Sequence, residues 1–568
     1  MKHIVSFILL VLLPVVASAY DACINGIYYI FSGNEAAVAN NSTDYTIDDG
    51  DVACYSGNIA LPASVTYQGR TYSVTKIGGG AFSVCPDLVS VTIPGSVTSI
   101  SGNAFYGCSG LKSVTIPNSV TSIGNGAFYG CTALTSVNIP NNLTTMGERI
   151  FQNCKGLTSV TIPGSVKSIG KLAFQKCSGL TSLTIGYGVA GIGESAFSGC
   201  KSLTSVTIPG SVTSIGDGAF SGCTSLASLS IPTNVVSVGP NAFNSTPWLD
   251  NQPAGLLYIG KVAYKYKGVM PNGTQIRIKE GTVVIAGYVF QDCKGLTSVT
   301  IPNSVTSIGT YAFSRCSGLT SVNIPESVTN IDGAAFSTCT NLTSVNIPGS
   351  VSRISDGTFS ACIRLTTVTI PESVTSIGEM AFAECQSLTS VTIPKSVTSI
   401  GDFAFYNCVG LTSVTISNGV TSLGTSAFNG CSGLTSICIP ESVTNISYGT
   451  FYDCDGLKDV FCLAENVPAT KSDAFLESPI SLATLHVPEG SVEKYRKPSP
   501  WSGFGSIVAL GKDDVIGDLN GDSKIDVADA VSILNLMAEG ADESTADLNG
   551  DGKVDIADFV SVLNLMAE

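Results

Sequence analysis

The chain has 568 residues, 44% of them apolar and only 12% charged; that length exceeds one compact core, and the composition excludes a disordered polymer. A formal net charge of −15 argues against nucleic acid as a partner, and two histidines, His3 and His486, leave little room for a His-based catalytic centre or a multi-His metal site. Nineteen cysteines, an odd number, exclude complete pairing within one chain. At the start, Lys2 and His3 precede an apolar run from Ile4 to Val16 and then Ala17-Ser18-Ala19, the three parts of a secretory signal cut after Ala19. The run is too short to span a bilayer comfortably, and no later stretch reaches the roughly eighteen apolar residues of a membrane span. The mature chain is therefore expected to be exported, extracellular and free of a transmembrane segment.

From Cys85 to Cys223, and again from Cys293 to Cys454, a cysteine recurs every 23 residues. Leucines keep the same step from Leu88 to Leu226 and from Leu296 to Leu457, and 17 of the 23 phenylalanines follow it. One unit reads Leu111-Lys-Ser-Val114-Thr-Ile116-Pro117, then Val120-Thr-Ser-Ile123-Gly124, then Ala127-Phe128 and Cys131. A fixed period of this size marks a solenoid, in which each unit buries its apolar face only against its neighbours. Leu-x-x-Val-x-Ile reads as a strand stopped by proline, and Val-x-x-Ile as a second extended piece. The following Gly, replaced by Ser101, Asp332, Ser355 or Ser447 in other units, is a residue set that a helix N-cap accepts, so a short helical turn carrying Ala, Phe and Cys inward is expected next.

This pattern resembles the BspA-like leucine-rich repeat family over most of the chain, residues 81–475. The resemblance implies a leucine-rich-repeat solenoid, β-rich and of the α/β class, with 23-residue coils of parallel strands and short helical turns. Gly26-Ile-Tyr-Tyr and Tyr72-Ser-Val-Thr look like the family's N-terminal cap, placed at 20–80, and Leu482 to Leu510 with Trp501 looks like its C-terminal cap, placed at 476–511. Members are secreted or surface adhesins and interaction proteins without a catalytic inventory.

The cysteine column has two readings, a metal or disulfide ladder and a row of buried thiols. In-register side chains on neighbouring coils stand about 4.8 Å apart, beyond the roughly 3.5–4.5 Å between the Cβ atoms of a disulfide, and a straight row does not converge on a zinc ion. Buried thiols acting as small hydrophobes are expected. Cys23 and Cys54 lie outside the register and are placed to pair across the N-terminal cap; Cys438 and Cys462 point to opposite faces. The outward strand position is Thr or Asn at Thr92, Thr115, Asn138, Thr161, Thr184, Thr207, Thr300, Asn323, Asn346, Thr369, Thr392 and Thr415. Exposed-strand propensity alone explains that choice, and it leaves a long, nearly uncharged face of the kind on which solenoids bind extended partners. Beside the phenylalanines the units vary more, as at Tyr106, Tyr129, Gln152, Gln175, Tyr406 and Tyr452.

Residues 247–292 break the count. Trp248, Tyr258, Lys261, Tyr264, Lys265, Tyr266 and Lys267, with Arg277 and Lys279, interleave aromatic and basic side chains in an acidic chain. They read either as a contact patch for an anionic or carbohydrate ligand or as variant coils that adjust the solenoid's curvature; the latter is favoured.

After a linker at 512–517, Asp518, Asn520, Asp522, Lys524, Asp526 and Asp529 recur 29 residues later as Asp547, Asn549, Asp551, Lys553, Asp555 and Asp558. Oxygen ligands at loop positions 1, 3, 5, 9 and 12, with the backbone carbonyl of Lys524 or Lys553 at position 7, wrap one Ca²⁺ per loop, two ions in all. Position 6 is Gly552 in the second loop but Ser523 in the first, where a left-handed backbone costs about 1 kcal/mol. The tail, 518–568, resembles a type I dockerin, a small all-α, EF-hand-like module. That resemblance implies a cohesin-like partner, read through loop positions 10 and 11, here Val527-Ala528 and Ile556-Ala557. The tail holds 12 acids against 2 bases, so most of the chain's acidity is local to it.

These parts suggest a secreted, non-catalytic adhesion or interaction solenoid, associated with the cell surface or a scaffold through its tail. The competing readings are an accessory component of an extracellular polysaccharide-degrading complex and a structural surface-layer spacer. Caps, coils and tail leave no space for a catalytic domain, so an enzyme is not expected.

Overall fold

The computed structural model describes residues 20–40 and 54–510. Nearly every coil lays down two short strands that pair in parallel with neighbouring coils, and the coil of Ser136–Val137 lays down one. Ser113–Thr115 pairs with Leu88–Thr92 on one side and Ser136–Val137 on the other, and Ser122–Ile123 pairs with Ser99–Ile100. Val114 lies opposite Val137, 23 residues on, so identical positions stack as columns. Alternation decides what each column faces: Val114 and Ile116 are buried and Thr115 is exposed.

The third part of the coil departs from the expected helical turn. Ala127, Tyr129 and Cys131 each donate their N–H to the carbonyl three residues back, while the alternate N–H groups of Asn103, Phe105 and Gly107 reach across to Asn125, Ala127 and Tyr129 of the next coil. A helix would direct all of these donors along its own axis. Here successive tight turns share them between neighbours, with left-handed residues at two fixed positions, Gly126 (φ +64°) and Gly130 (φ +72°) in one coil, Arg149 (φ +56°) and Asn153 (φ +65°) in the next. Where this position is glycine, close contact with the preceding coil accounts for it, whereas other coils hold Ser101, Asp332, Ser355 or Ser447 there. A Cβ on Gly124 would stand 2.4 Å from the Gly102 nitrogen.

The core is a set of parallel columns. Phenylalanine rings stack from Phe82 to Phe243 at centroid spacings of 5.0 to 5.8 Å, and from Phe290 to Phe475 at 5.1 to 5.7 Å. The chain divides into two compact units, Met1–Gln252 and Pro253–Glu568. Each stack starts on a tilted tyrosine, Tyr55 or Tyr266, and finishes edge-on against a tryptophan, Trp248 or Trp501.

The interruption at 247–292 is therefore an ending and a beginning, not a pair of variant coils. Thr246 caps a one-turn helix, Pro247–Asp250, that carries Trp248 onto Phe243. The second unit then opens as the first does. In the first, the Ile27–Ser32 and Glu35–Val38 hairpin runs on in parallel beside Arg70–Ile77; in the second, Gly255–Ile259 and Val262–Lys267 form the hairpin and Val284–Ile285 follows in parallel. Even a register shift recurs, at Gly57/Asn58 and at Thr274/Gln275, where the next strand meets its first regular coil.

Candidate binding surfaces

The buried columns are built of apolar side chains and thiols. Of the in-register cysteines, Cys108 through Cys454 are free. Typically each thiol donates to the carbonyl of the phenylalanine 26 residues earlier, as Cys131 does to Phe105 at 3.2 Å and Cys339 to Phe313 at 3.1 Å. Burial pushes the thiols of Cys108, Cys177, Cys223, Cys362 and Cys408 up to about 12, far from the thiolate that nucleophilic attack or metal binding needs. Among the described residues no three His, Cys, Asp or Glu side chains gather as a metal site.

Cys85 is the exception, and it corrects the expected pairing. It is bonded to Cys54, with Cα atoms 5.3 Å apart, while Cys23 is free and exposed. As the first member of its column, Cys85 has no regular coil before it to cover its sulfur, and the cap supplies Cys54 in that place. Cys438 and Cys462 are not bonded to each other, and the Cys462 sulfur lies 3.2 Å from the Tyr495 hydroxyl.

The Thr/Asn column stands where alternation puts it. Its members are exposed, apart from half-buried Thr415, and they run in register, Thr92 beside Thr115, Asn323 between Thr300 and Asn346, and Thr392 beside Thr415. Other threonine columns do a different job. Thr121 and Thr158 donate their hydroxyls to the carbonyls of Thr98 and Thr135, stitching each coil to the one before it. At the end of the face the column changes to Cys438, Phe461 and His486; the Phe461 and His486 rings stack at 4.3 Å, and His486 Nε2 lies 3.0 Å from Asp459 Oδ1.

The basic and aromatic residues of the interruption are distributed between caps. Trp248 belongs to the end of the first unit and the others to the start of the second. Tyr264 is 1% exposed, because it lies on the inward side of its strand; this corrects its assignment to a contact patch. The Tyr258 hydroxyl accepts the Lys279 N–H at 3.0 Å, and Tyr266 packs on Phe290. Lys261 is exposed, while Lys265 and Lys267 are half-buried.

Sequence reasoning singled out the position after each phenylalanine, where Tyr106 and Tyr129 do stack at 4.7 Å. It missed the position two before, which in the first six coils of the second unit reads Tyr288, Tyr311, Ala334, Gly357, Met380 and Phe403. Their N–H groups step from coil to coil through the carbonyls of Thr310, Gly333, Asp356, Glu379, Asp402 and Thr425. The available signal was the occurrence of large apolar residues at a position that glycine also fills.

The residues expected to bind calcium, Asp518 to Asp529 and Asp547 to Asp558, and the pairs Val527-Ala528 and Ile556-Ala557, lie outside the described residues. Their donor chemistry, carboxylate and amide oxygens repeated at one spacing in two loops, suits a hard divalent cation.

The family model for the BspA type leucine rich repeat region (6 copies) matches over residues 63–180, 149–270, 257–389 and 375–497, and the dockerin type I domain over 516–566. Among solved structures, a leucine-rich repeat protein from Bacteroides ovatus ATCC 8483 is 27% identical, the match covering 78% of this chain and 100% of that one with a TM-score of 0.40. A leucine rich cell surface protein from Faecalibacterium prausnitzii A2-165 is 30% identical, covering 69% and 94% with a TM-score of 0.34. The leucine rich repeat protein of T. pallidum is 29% identical over 32% of this chain and 87% of its own, with a TM-score of 0.29. No curated protein matches.

Proposed function

The chain belongs to the BspA-type leucine-rich repeat family, and from that premise we propose that it is a secreted, non-catalytic adhesion or protein-interaction solenoid held in place by its tail. The two matched families are binding modules, and type I dockerins bind calcium and dock to cohesins. On this reading residues 1–19 are a signal peptide, 20–511 present the ligand-binding solenoid and its caps, and 518–568 dock to a cohesin-type partner. One calcium ion sits in each loop, 518–529 and 547–558, and Val527-Ala528 and Ile556-Ala557 face the partner. The observation that carries the reading is the union in one chain of an exposed, in-register, uncharged Thr/Asn column with a dockerin-matching tail.

The dockerin match also supports a second reading, an accessory subunit of an extracellular polysaccharide-degrading complex. Retention of the full chain on an immobilised type I cohesin, in calcium and in EDTA, tests the first. The chain is expected to be held in calcium and released by EDTA; retention that ignores EDTA contradicts it. Release of reducing sugar from a polysaccharide by the purified chain alone would show that the non-catalytic part is wrong.

A further inference from the structure

Between each phenylalanine and the leucine that follows it, the first unit carries a rim unlike that of the second. From Tyr106 to Ser225 this segment holds no acidic residue in any coil, and three consecutive coils contribute Lys155, Lys176 and Lys201. In the second unit the same segment holds Asp292, Glu384, Asp453 and Asp455, and its Arg315 is paired with Asp292 at 3.8 Å. Lys155, Lys176 and Lys201 are exposed and enter no ion pair among the described residues. The nearest acids in sequence, Glu148 and Glu194, precede the phenylalanine of their coils, and Glu194 is held by Lys171 at 2.8 Å.

The backbone sets these cations in a fixed pattern. The N–H groups of Gly107, Gly130, Asn153 and Lys176 donate to the carbonyls of Tyr129, Gln152, Gln175 and Ser198, one coil on, so the rim advances by one strand spacing per coil. Lys155 and Lys201 hold the same place two coils apart, about 10 Å. Lys176 lies between them and leans onto the last of the three coils, since a Cβ on Gly199 would stand 3.5 Å from its Cγ. Beside the lysines runs a column of flat polar side chains. Tyr106, 38% exposed, stacks on Tyr129 at 4.7 Å, and the Gln152 amide donates to the Gln175 amide of the next coil.

We propose that this rim binds a linear acidic polysaccharide, its anionic groups on Lys155, Lys176 and Lys201 and its sugar rings along the column of Tyr106, Tyr129, Gln152 and Gln175. An uncompensated row of cations in a chain of net charge −15 is a local feature, and screening over about 8 Å at physiological salt keeps acids farther away from cancelling it. A polymer charged along its length meets a cation on each of three coils, whereas a single small anion would touch one. The tyrosines and amides add partners for ring C–H and hydroxyl groups. The row lacks arginine, whose planar fork suits phosphate, so its chemistry favours a glycan over a nucleic acid. The proposal adds this rim to the exposed Thr/Asn face, and it rests on the solenoid being the ligand-binding part of the chain.

The full chain in calcium buffer is titrated with heparin hexasaccharide, hexagalacturonic acid, cellohexaose and poly-L-glutamate. At least one of the two acidic hexasaccharides is expected to bind, and more weakly as salt is raised. Lys155→Ala with Lys176→Ala and Lys201→Ala should weaken that binding about tenfold without moving the melting temperature, because all three side chains are exposed. Tyr129→Ser should weaken it about fivefold; serine fills the same place at Ser198 and Ser221, so the coil keeps its fold. A chain that binds neither acidic hexasaccharide overturns the proposal, even if it captures proteins, an outcome that leaves the wider interaction reading standing. A triple variant that keeps full affinity also overturns it, because the site then lies elsewhere. Poly-L-glutamate or cellohexaose bound as tightly overturns it too, assigning the rim to acidic peptides or to neutral glycans.

Discussion

The two solenoid units solve the same end problem differently. Both begin with a hairpin, a tilted tyrosine and a register-shifted strand, and both stop on an edge-on tryptophan. They differ at the first cysteine of the column. In the first unit Cys85 is bonded to Cys54; in the second Cys293 is a half-buried free thiol, pushed up to about 11 by burial. The Gly57 and Thr274 N–H groups donate to the matching carbonyls of Asp87 and Gly295, so Cys54 falls where the second unit has Pro271. An interior thiol is covered by the coil before it. A terminal one is covered only by what the cap happens to carry.

Breaking the shared part should cost most. Phe151→Ala in the first unit and Phe313→Ala in the second each remove a ring stacked on both sides and should lower stability by about 3–5 kcal/mol in denaturant unfolding, by similar amounts. A large inequality would mean that the columns are not equivalent. Removing the difference comes next. Cys54→Ser with Cys85→Ser should cost about 3 kcal/mol, and hydrogen exchange should rise in the first unit while the second is unchanged.

The thiol columns predict an alkaline effect common to both units. Cys108, Cys223 and Cys408 are held near 12 in the fold against an ordinary 9.0, so the folded chain keeps protons that the unfolded chain releases. Their contribution is fully present below about pH 9 and is lost as pH rises toward 12, so the melting temperature should fall across that window. Iodoacetamide at neutral pH should label exposed Cys23 ahead of the column cysteines. The smallest effect belongs to the other duplicated motif. Ser523→Gly should tighten calcium in the first loop by about 1 kcal/mol, roughly fivefold, making it resemble the loop with Gly552.

What repeats was legible in the sequence. Leu, Phe and Cys fill buried columns where any change of volume is felt by two neighbouring coils, so the period, the strands and the outward Thr/Asn face could be read directly. The calcium-ligand assignment rests on spacing alone, because its residues lie outside the described ones. The turn segment was not legible, since an Ala-Phe-x-x-Cys spacing serves a helix and a run of tight turns alike, and only inter-coil hydrogen bonding separates them. The second cap escaped because a hairpin repeats none of the coil's residues, and the Cys54–Cys85 bond because register along the chain does not show which cap residue closes a column.

On this reading recognition and docking are separate, and calcium serves only the tail. Calorimetry of the full chain with and without EDTA, paired with cohesin binding under both conditions, tests it most directly. EDTA is expected to abolish cohesin binding and to leave the melting of the solenoid where it was. Cohesin binding that survives EDTA, or a solenoid that melts earlier without calcium, would contradict it.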